Sequence, residues 1–268
     1  PAVKNNEGEW VLLNGNQTAL MFVYYLITRW KELGKINGKE YIVKTIVTTE
    51  TIKTIAERNG VEMYDVYTGF KWIANVMREN EGKKNYIGGG EESYGFLCED
   101  FVRDKDAVSA CVILAEIAAW AKDQGLSLYQ LLQKIYVEYG FSKEKGISVV
   151  KKGKSGAEEI EAMMKKFREN PLTEIAGSKV TYFYDYSTLK GKDYAENETV
   201  TLDMPTTSNV LQYFTEDNTK VSIRPSGTEP KIKFYCEVHS KVKSIDELPE
   251  AEKAAEEKIN QIKASLGI

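Results

Sequence analysis

The chain has 268 residues, of which 42% are hydrophobic and 28% are charged, a composition typical of globular proteins with room for two domains. Its formal net charge of −4 argues against nucleic acid or an anionic membrane as a partner, and the longest apolar runs are too short to predict a transmembrane helix. The single histidine, His239, excludes a metal site built on several histidines.

The three cysteines are Cys98, Cys111 and Cys236, an odd number without the spacing of a metal site. Each has apolar or aromatic neighbours in the sequence, so we predict reduced residues that pack in the interior. Reduced cysteines are typical of a cytoplasmic protein.

The first part of the chain alternates predicted strands and helices. Asn16 is a good N-cap, and the apolar spacing after it predicts a helix that ends at Gly34. Further strands are predicted at residues 41–48, 61–67 and 86–87, and further helices at residues 50–59, after Gly69, at 106–123 and at 127–139. This order predicts an α/β domain with a mainly parallel or mixed sheet over residues 1–152.

Residues 140–156 are rich in Lys, Gly and Ser and break the alternation, so we place the domain boundary there. A helix is predicted at residues 157–168, short strands at 179–184, 199–202, 210–214, 220–223 and 231–238, and a final helix from about residue 244 to Gly267. Residues 153–268 are therefore predicted to form a smaller α+β domain, an antiparallel sheet flanked by helices.

One candidate site is the loop between the last two predicted strands, with Arg224, Ser226, Gly227 and Thr228. Arginine offers a planar, permanently charged fork, hydroxyl groups donate hydrogen bonds, and glycine lets backbone N–H groups curl around an oxyanion. Short loops of this composition are also typical of a tight polar turn. Composition alone leaves both interpretations open.

A second candidate site follows the predicted strand that runs into three glycines, where Glu91, Glu92 and Ser93 come next. Ligands usually bind at the carboxyl ends of strands in open α/β sheets, and carboxylates accept hydrogen bonds from neighbouring sugar hydroxyls. The alternative is a flexible loop with a solvated acidic tip.

Two helix starts carry cations near this loop. Arg103 and Lys105 could reach a ligand held by Glu91, but the same stretch suits a capping cluster in which Asp104 or Asp106 faces the positive helix end. Lys71 begins another predicted helix, where the alternative is a lysine that is simply solvated.

Together these stretches resemble the phosphohexomutases, the family of phosphoglucomutases and phosphomannomutases. The GEES sequence at residues 90–93 resembles the sugar-recognition loop of the family, and RPSGT at 224–228 resembles its phosphate-binding loop. GFKW at 69–72 and RDKD at 103–106 match the family in order and spacing. The resemblance covers the whole chain and is closest to the bacterial phosphoglucomutase type, because mannose-preferring relatives tend to carry Met in place of Glu92.

The resemblance implies four domains, of which this chain resembles the third and fourth. The phosphoserine motif and the Asp-rich Mg²⁺ loop that the family carries in its first two domains do not occur in this sequence. We therefore expect a C-terminal half with no metal ligands of its own, whose partners are the missing N-terminal domains and a hexose phosphate substrate. Mg²⁺ is then the cofactor of the full-length enzyme, and a hexose bisphosphate is its activating intermediate.

The implied reaction interconverts hexose 1-phosphate and hexose 6-phosphate. The resemblance assigns sugar binding to Glu91, Ser93, Gly69, Lys71 and Arg103, phosphate binding to Arg224, Ser226, Gly227 and Thr228, and a role in proton transfer or charge stabilisation to Lys105. We expect this chain alone to have no mutase activity. The alternative function is a non-enzymatic sugar-phosphate-binding or interaction module derived from the family.

Overall fold

The computed structural model describes residues 1–151, 153–227 and 229–268. Within them the chain forms two compact units, Pro1–Phe141 with Lys241–Leu248 and Ser142–Ser240 with Pro249–Ile268. The sequence predicts a boundary after residue 152, whereas the contacts divide the chain after Phe141. The reason is that the strand beginning at Phe141 belongs to the sheet of the second unit.

The first unit is an α/β layer with a mixed sheet, as predicted. Its elements are β1 (Ala2–Lys4), β2 (Trp10–Leu12), α1 (Gly15–Glu32), β3 (Glu40–Thr45), α2 (Thr51–Arg58), β4 (Glu62–Val66), α3 (Phe70–Asn80), β5 (Asn85–Gly90), β6 (Phe96–Cys98), α4 (Ala107–Asp123) and α5 (Leu128–Tyr139). Strands β1 and β2 form an antiparallel hairpin. The main sheet has the order β4-β3-β5-β6, in which β3 runs parallel to β4 and β5 while β6 runs antiparallel to β5.

Strand β3 lies in the core of this unit, between β4 and β5. Strand β3 is buried along its whole length, and α3 packs Phe70, Ile73 and Met77 at helical spacing into the same cluster as Tyr41 and Val43. Burial on both faces removes the alternation of apolar and polar residues that a half-exposed strand would show. These contacts hold the carboxyl ends of β3 and β5 in fixed register.

The start of α1 differs by two residues from the prediction. Asn14 is the N-cap, and its side chain accepts a hydrogen bond from the backbone N of Gln17 at 2.9 Å in a capping box. Asn16, which the sequence predicts as the cap, accepts instead from the backbone N of Thr49 at 3.0 Å. The polar residue in the first turn therefore braces the segment that follows β3.

The second unit is an antiparallel sheet with flanking helices, also as predicted. Its elements are β7 (Phe141–Val150), α6 (Gly153–Glu169), β8 (Glu174–Ile175), β9 (Ser178–Asp185), β10 (Lys190–Asp193), β11 (Glu198–Thr201), β12 (Leu211–Thr215), β13 (Lys220–Pro225), β14 (Lys231–Ser240) and α7 (Leu248–Leu266). The strand order is β11-β10-β9-β12-β13-β14-β7, and β8 pairs with β9. Strands β13 and β14 are antiparallel partners, so the loop that joins them lies at one end of the sheet.

Helix α4 leaves part of its apolar surface exposed. Val108 is 75% exposed and Val112 is 61% exposed. Cys111 on the same helix is exposed as well, so its predicted packing is wrong, whereas Cys98 and Cys236 are buried as predicted. Neither α4 nor any other helix in the described part of the chain combines the length and apolarity needed to cross a membrane.

Candidate functional site

The carboxylate of Glu91 is fixed at the end of β5. Its Oε1 accepts a hydrogen bond from the backbone N of Gly69 at 2.7 Å, and the residue is only 8% exposed. Gly69 is the N-cap of α3 and has a φ of 112°, a backbone conformation that favours glycine. The backbone N of Glu91 donates to the carbonyl oxygen of Gly95 at 2.8 Å and closes a short loop. The positive end of α3 thus stabilises a nearly buried negative charge.

The three glycines before Glu91 belong to β5 itself. A Cβ at Gly89 would overlap with the carbonyl oxygen of Val43 on β3 and would lie 2.7 Å from the hydroxyl of Tyr86. Glycine is therefore needed here for the close packing of β5 within the protein.

The carboxylates of Glu91 and Glu92 have different partners. Glu92 Oε2 accepts a hydrogen bond from Thr45 Oγ1 at 3.2 Å, at the end of β3. Ser93 and Tyr94 are exposed, and Tyr94 has a φ of 72°. The side chain of Glu92 is thus tied to the sheet, whereas Ser93 at the tip is accessible to a ligand.

Lys105 approaches the Glu91 loop. A Cβ built on Gly95 would lie 2.9 Å from Glu91 Oε2 and 3.1 Å from Lys105 Cδ, so both side chains flank the same glycine. Lys105 Nζ lies 3.1 Å from Asp104 Oδ1 and 5.9 Å from the ring centroid of Phe70. The structure therefore brings together three of the predicted site residues: Gly69, Glu91 and Lys105.

Arg103 and Lys71 line a different recess, a cavity of about 610 Å³ along α3. Arg103 Nη2 lies 3.2 Å from Glu81 Oε1, and its Nη1 donates to the carbonyl oxygen of Asp100 at 2.6 Å. Lys71 Nζ lies 5.1 Å from the ring centroid of Trp72. The sugar-binding roles of these two cations stay predictions.

The capping interpretation of the stretch before α4 is correct for Asp106. Its Oδ2 accepts a hydrogen bond from the backbone N of Ser109 at 2.7 Å, and its backbone is extended as an N-cap requires. The hydrogen bonds from Ser109 lower the pKa of the Asp106 carboxyl. The negative charge at the positive end of α4 is thereby stabilised.

Ser226 and Glu229, in the loop after β13, are held by hydrogen bonds and line a cationic recess. The backbone N of Ser226 donates to the carbonyl oxygen of Lys231 at 2.7 Å, and the backbone N of Glu229 donates to Ser226 Oγ at 3.3 Å. Gly227 at the tip is exposed. Thr228 lies outside the described residues.

The cationic recess has a volume of about 160 Å³ and is lined by Arg224, Pro225, Ser226, Glu229, Lys231 and Lys233. Arg224 and Lys233 are register partners on β13 and β14, so their side chains leave the same face of the sheet. Lys231 is two residues before Lys233 and shares that face, whereas Ile232 between them is buried on the other. Strand periodicity therefore gathers positive charge beside a hydroxyl donor, an arrangement suited to an oxyanion.

Lys231 and Lys233 were not among the predicted site residues. The sequence signal that could have found them is the alternation Lys-Ile-Lys directly after the loop, which predicts a strand with one basic face. In the described part of the chain, no three His, Cys, Asp or Glu side chains come close enough together to hold a metal ion.

Comparison with known proteins identifies both units. Residues 14–139 match the family model described as phosphoglucomutase/phosphomannomutase, alpha/beta/alpha domain III, and residues 148–255 match the model described as the C-terminal domain of the same family. A phosphoglucomutase of Staphylococcus aureus is 37% identical over 234 residues, 87% of this chain and 41% of the relative. One from Staphylococcus haemolyticus is 33% identical over 236 residues, 88% of this chain and 42% of the relative. The chain thus spans about two fifths of the length of these relatives.

Solved structures show the same fold. The Paramecium phosphoprotein pp63/parafusin, a phosphoglucomutase in its open form, superimposes with a TM-score of 0.58 at 17% identity, over 91% of this chain and 39% of the other. A putative phosphomannomutase from Thermus thermophilus gives a TM-score of 0.56 at 18% identity, over 95% of this chain and 43% of the other. At these identities the likeness concerns the fold alone.

Proposed function

The chain belongs to the phosphoglucomutase/phosphomannomutase family, and from that membership we propose that it is the substrate-binding part of a phosphoglucomutase-type enzyme. The reaction interconverts hexose 1-phosphate and hexose 6-phosphate through a phosphoserine and a hexose bisphosphate intermediate. The phosphoserine and the Mg²⁺ ligands then belong to N-terminal domains that this chain does not span. Mg²⁺ would there neutralise charge on the phosphoryl group during transfer.

The observation that carries this proposal is the basic recess beside the loop after β13. Arg224 can form a bidentate contact with a phosphate, Lys233 adds charge from the partner strand, and Ser226 offers a hydroxyl. The protein as a whole is acidic, so this recess is a local concentration of positive charge. Its size and charge suit the phosphate that does not react.

The loop of Glu91 supplies sugar recognition in this proposal. The carboxylate is held by Gly69 and can accept hydrogen bonds from neighbouring hydroxyls, and exposed Ser93 can donate one. Lys105, which flanks the same loop, would assist proton transfer or stabilise charge near the reacting phosphate. Sugar hydroxyls of similar spacing occur in both binding orientations, so one loop can serve both half-reactions.

Binding at these two loops would contribute to catalysis by positioning. Phosphoryl transfer depends mainly on alignment and charge stabilisation, and binding energy from a remote phosphate can be used to align the reactive end. The residues of this chain therefore recognise and orient the substrate, while the nucleophile comes from elsewhere. The buried, reduced Cys98 and Cys236 support a cytoplasmic location for such an enzyme.

The test is enzymatic turnover. This chain alone should give no conversion of glucose 1-phosphate, and in the full-length protein Arg224→Ala should lower kcat/KM at least tenfold, the loss expected for a charge-assisted contact. Lys190→Ala removes one exposed positive charge from β10 and is the matched control. An unchanged kcat/KM in Arg224→Ala would contradict the phosphate role. Absence of turnover in the full-length protein would favour the non-enzymatic alternative.

A further inference from the structure

We propose that Glu92 is a positioning residue: held by Thr45 at the end of β3, its side chain fixes the shape of the loop of residues 91–95 and thereby the placement of the sugar ligands Glu91 and Ser93. The inference rests on the proposed function for its ligand class. Glu91 and Glu92 are adjacent in the sequence, but their carboxylates have different partners, Gly69 and Thr45.

The contact of Glu92 lies at the end of a short chain of buried hydroxyls. Thr45 Oγ1 donates to Glu92 Oε2 at 3.2 Å and lies 2.8 Å from Thr48 Oγ1. Because Thr45 gives its own proton to the carboxylate, Thr48 is the donor in the second contact. Both threonines are completely buried, so the carboxylate accepts from a pre-oriented hydroxyl in a low-dielectric environment.

A lysine next to these hydroxyl groups is buried as well. Lys44 precedes Thr45, is 1% exposed, and places its Nζ 2.6 Å from Asp65 Oδ1 and 2.9 Å from Glu50 Oε1. These ion pairs join β3 to β4 and to the segment before α2. The end of β3 is therefore a rigid polar support.

A second contact fixes the main chain of the same residue. Gly15, the first residue of α1, lies close to the backbone of Glu92. A Cβ added to Gly15 would overlap with the carbonyl oxygen of Glu92. Glycine at this position lets the start of α1 rest directly on the loop. Side chain and main chain of Glu92 are thus held by two different elements.

The loop needs this support because it contains a strained residue. Tyr94 has a φ of 72° and is 67% exposed, so its own side-chain packing cannot compensate for the left-handed conformation. Such a conformation persists where the surroundings over-determine it. The anchors are the two contacts of Glu92, together with the bonds of Glu91 to Gly69 and Gly95.

The test compares loop opening with ligand affinity in the 268-residue chain. Thr45→Val removes the hydroxyl at nearly constant side-chain volume. Hydrogen exchange of the Glu91 amide should then become roughly tenfold faster. Thr45→Ser, which keeps the hydroxyl, should restore the slow rate. The affinity for glucose 6-phosphate should fall by a similar factor while the affinity for inorganic phosphate stays unchanged. Thr219→Val, an equally buried threonine of the second unit, is the control.

If Thr45→Val fails to fold, Glu92→Ala still tests the proposal, because Glu92 is only half-buried. It should reproduce the faster exchange and the selective loss of sugar affinity. Unchanged exchange at Glu91 in both Thr45→Val and Glu92→Ala would overturn the positioning role. If the wild-type chain bound no sugar phosphate, the proposed function would fail, while the exchange rates would still decide whether Thr45 and Glu92 hold the loop.

Discussion

The backbone N of Gly69 donates a 2.7 Å hydrogen bond to Oε1 of Glu91, so the start of α3 fixes the carboxylate that ends β5. Gly69 lies in the connection from β4 to α3, and Glu91 lies in the loop that follows β5. Their contact is possible because β3 and its parallel neighbours bring these connections to one edge of the sheet. The carboxylate is thus oriented before any ligand arrives.

The first prediction concerns this carboxylate. Glu91→Gln keeps an oxygen that can accept from Gly69 but removes the charge, so the fold should persist and the affinity for glucose 6-phosphate should fall about tenfold. Calorimetric titration measures this, with exposed Glu99→Gln as the matched control. An affinity that changes equally in both variants would show that Glu91 has no special role.

The second prediction concerns the phosphate recess. Arg224→Ala should weaken binding of inorganic phosphate by roughly tenfold or more. Arg224→Lys should retain only part of the wild-type affinity, because lysine lacks the planar fork. Titration of phosphate at several salt concentrations should also give a smaller salt dependence in Arg224→Ala. Equal phosphate affinity in wild type and Arg224→Ala would exclude this recess.

The third prediction concerns a buried ion pair across β13 and β14. Lys220 Nζ lies 2.8 Å from Glu237 Oε2, and both side chains are almost completely buried. Lys220→Met leaves a buried carboxylate without its main cation, so the free energy of unfolding should fall by about 3–5 kcal/mol. Urea denaturation measures this, and the double variant Lys220→Met/Glu237→Leu should recover much of the loss. A double variant no more stable than Lys220→Met would contradict the explanation.

The fourth prediction is the pH dependence of stability around His239. Its Nε2 lies 2.7 Å from Glu237 Oε1. Burial opposes the charge on His239, but the nearby carboxylates of Glu237 and Glu144 outweigh it and raise its pKa. For Glu237, burial is opposed by Lys220 and then by His239, and its pKa is lowered.

The two groups therefore make the stability depend on pH in opposite directions. A raised pKa of His239 in the folded state gives stabilisation that is complete below about pH 6.5, the ordinary value of the unfolded chain, and that is lost as pH rises through the raised value. The lowered pKa of Glu237 gives stabilisation that is present above its ordinary value of about 4.3 and is lost as pH falls through the lowered one. Urea midpoints should therefore fall as the pH rises from 6 to 9. The variant His239→Gln should remove much of that decrease, and an identical decrease in the variant would contradict the assignment.

Local patterns were sufficient to predict most of the fold. The helical spacing of Phe70, Ile73 and Met77 and the apolar residues 41–43 of β3 reflect burial, and both elements form close to their predicted positions, although β3 ends at Thr45 and not at residue 48. Strand β7 was missed because Lys143, Glu144, Lys145 and Gly146 give it neither an apolar run nor a clear alternation. Pairing within the sheet of the second unit, and not local preference, makes this segment a strand.

The candidate site was predictable in its loops but not in its side-chain contacts. Motif composition located Glu91 and Arg224, because unusual runs of glycine, charge and hydroxyl are visible in one dimension. The bond from Thr45 to Glu92 joins residues 47 positions apart, so no local pattern indicates it. No local pattern indicates the ion pair of Arg103 with Glu81 either, because it depends on how α3 lies beside the segment that precedes α4.

The most decisive measurement is a nuclear magnetic resonance titration of the isotope-labelled chain, because it reports separately on hexose phosphate binding at residues 90–95 and at residues 224–227. Glucose 6-phosphate should shift the amides of residues 90–95 and of residues 224–227, whereas inorganic phosphate should shift only the second set. Glu91→Gln should weaken the first response and Arg224→Ala the second. Saturating glucose 6-phosphate that leaves both sets of amides unchanged, or that shifts a third region instead, would contradict this prediction.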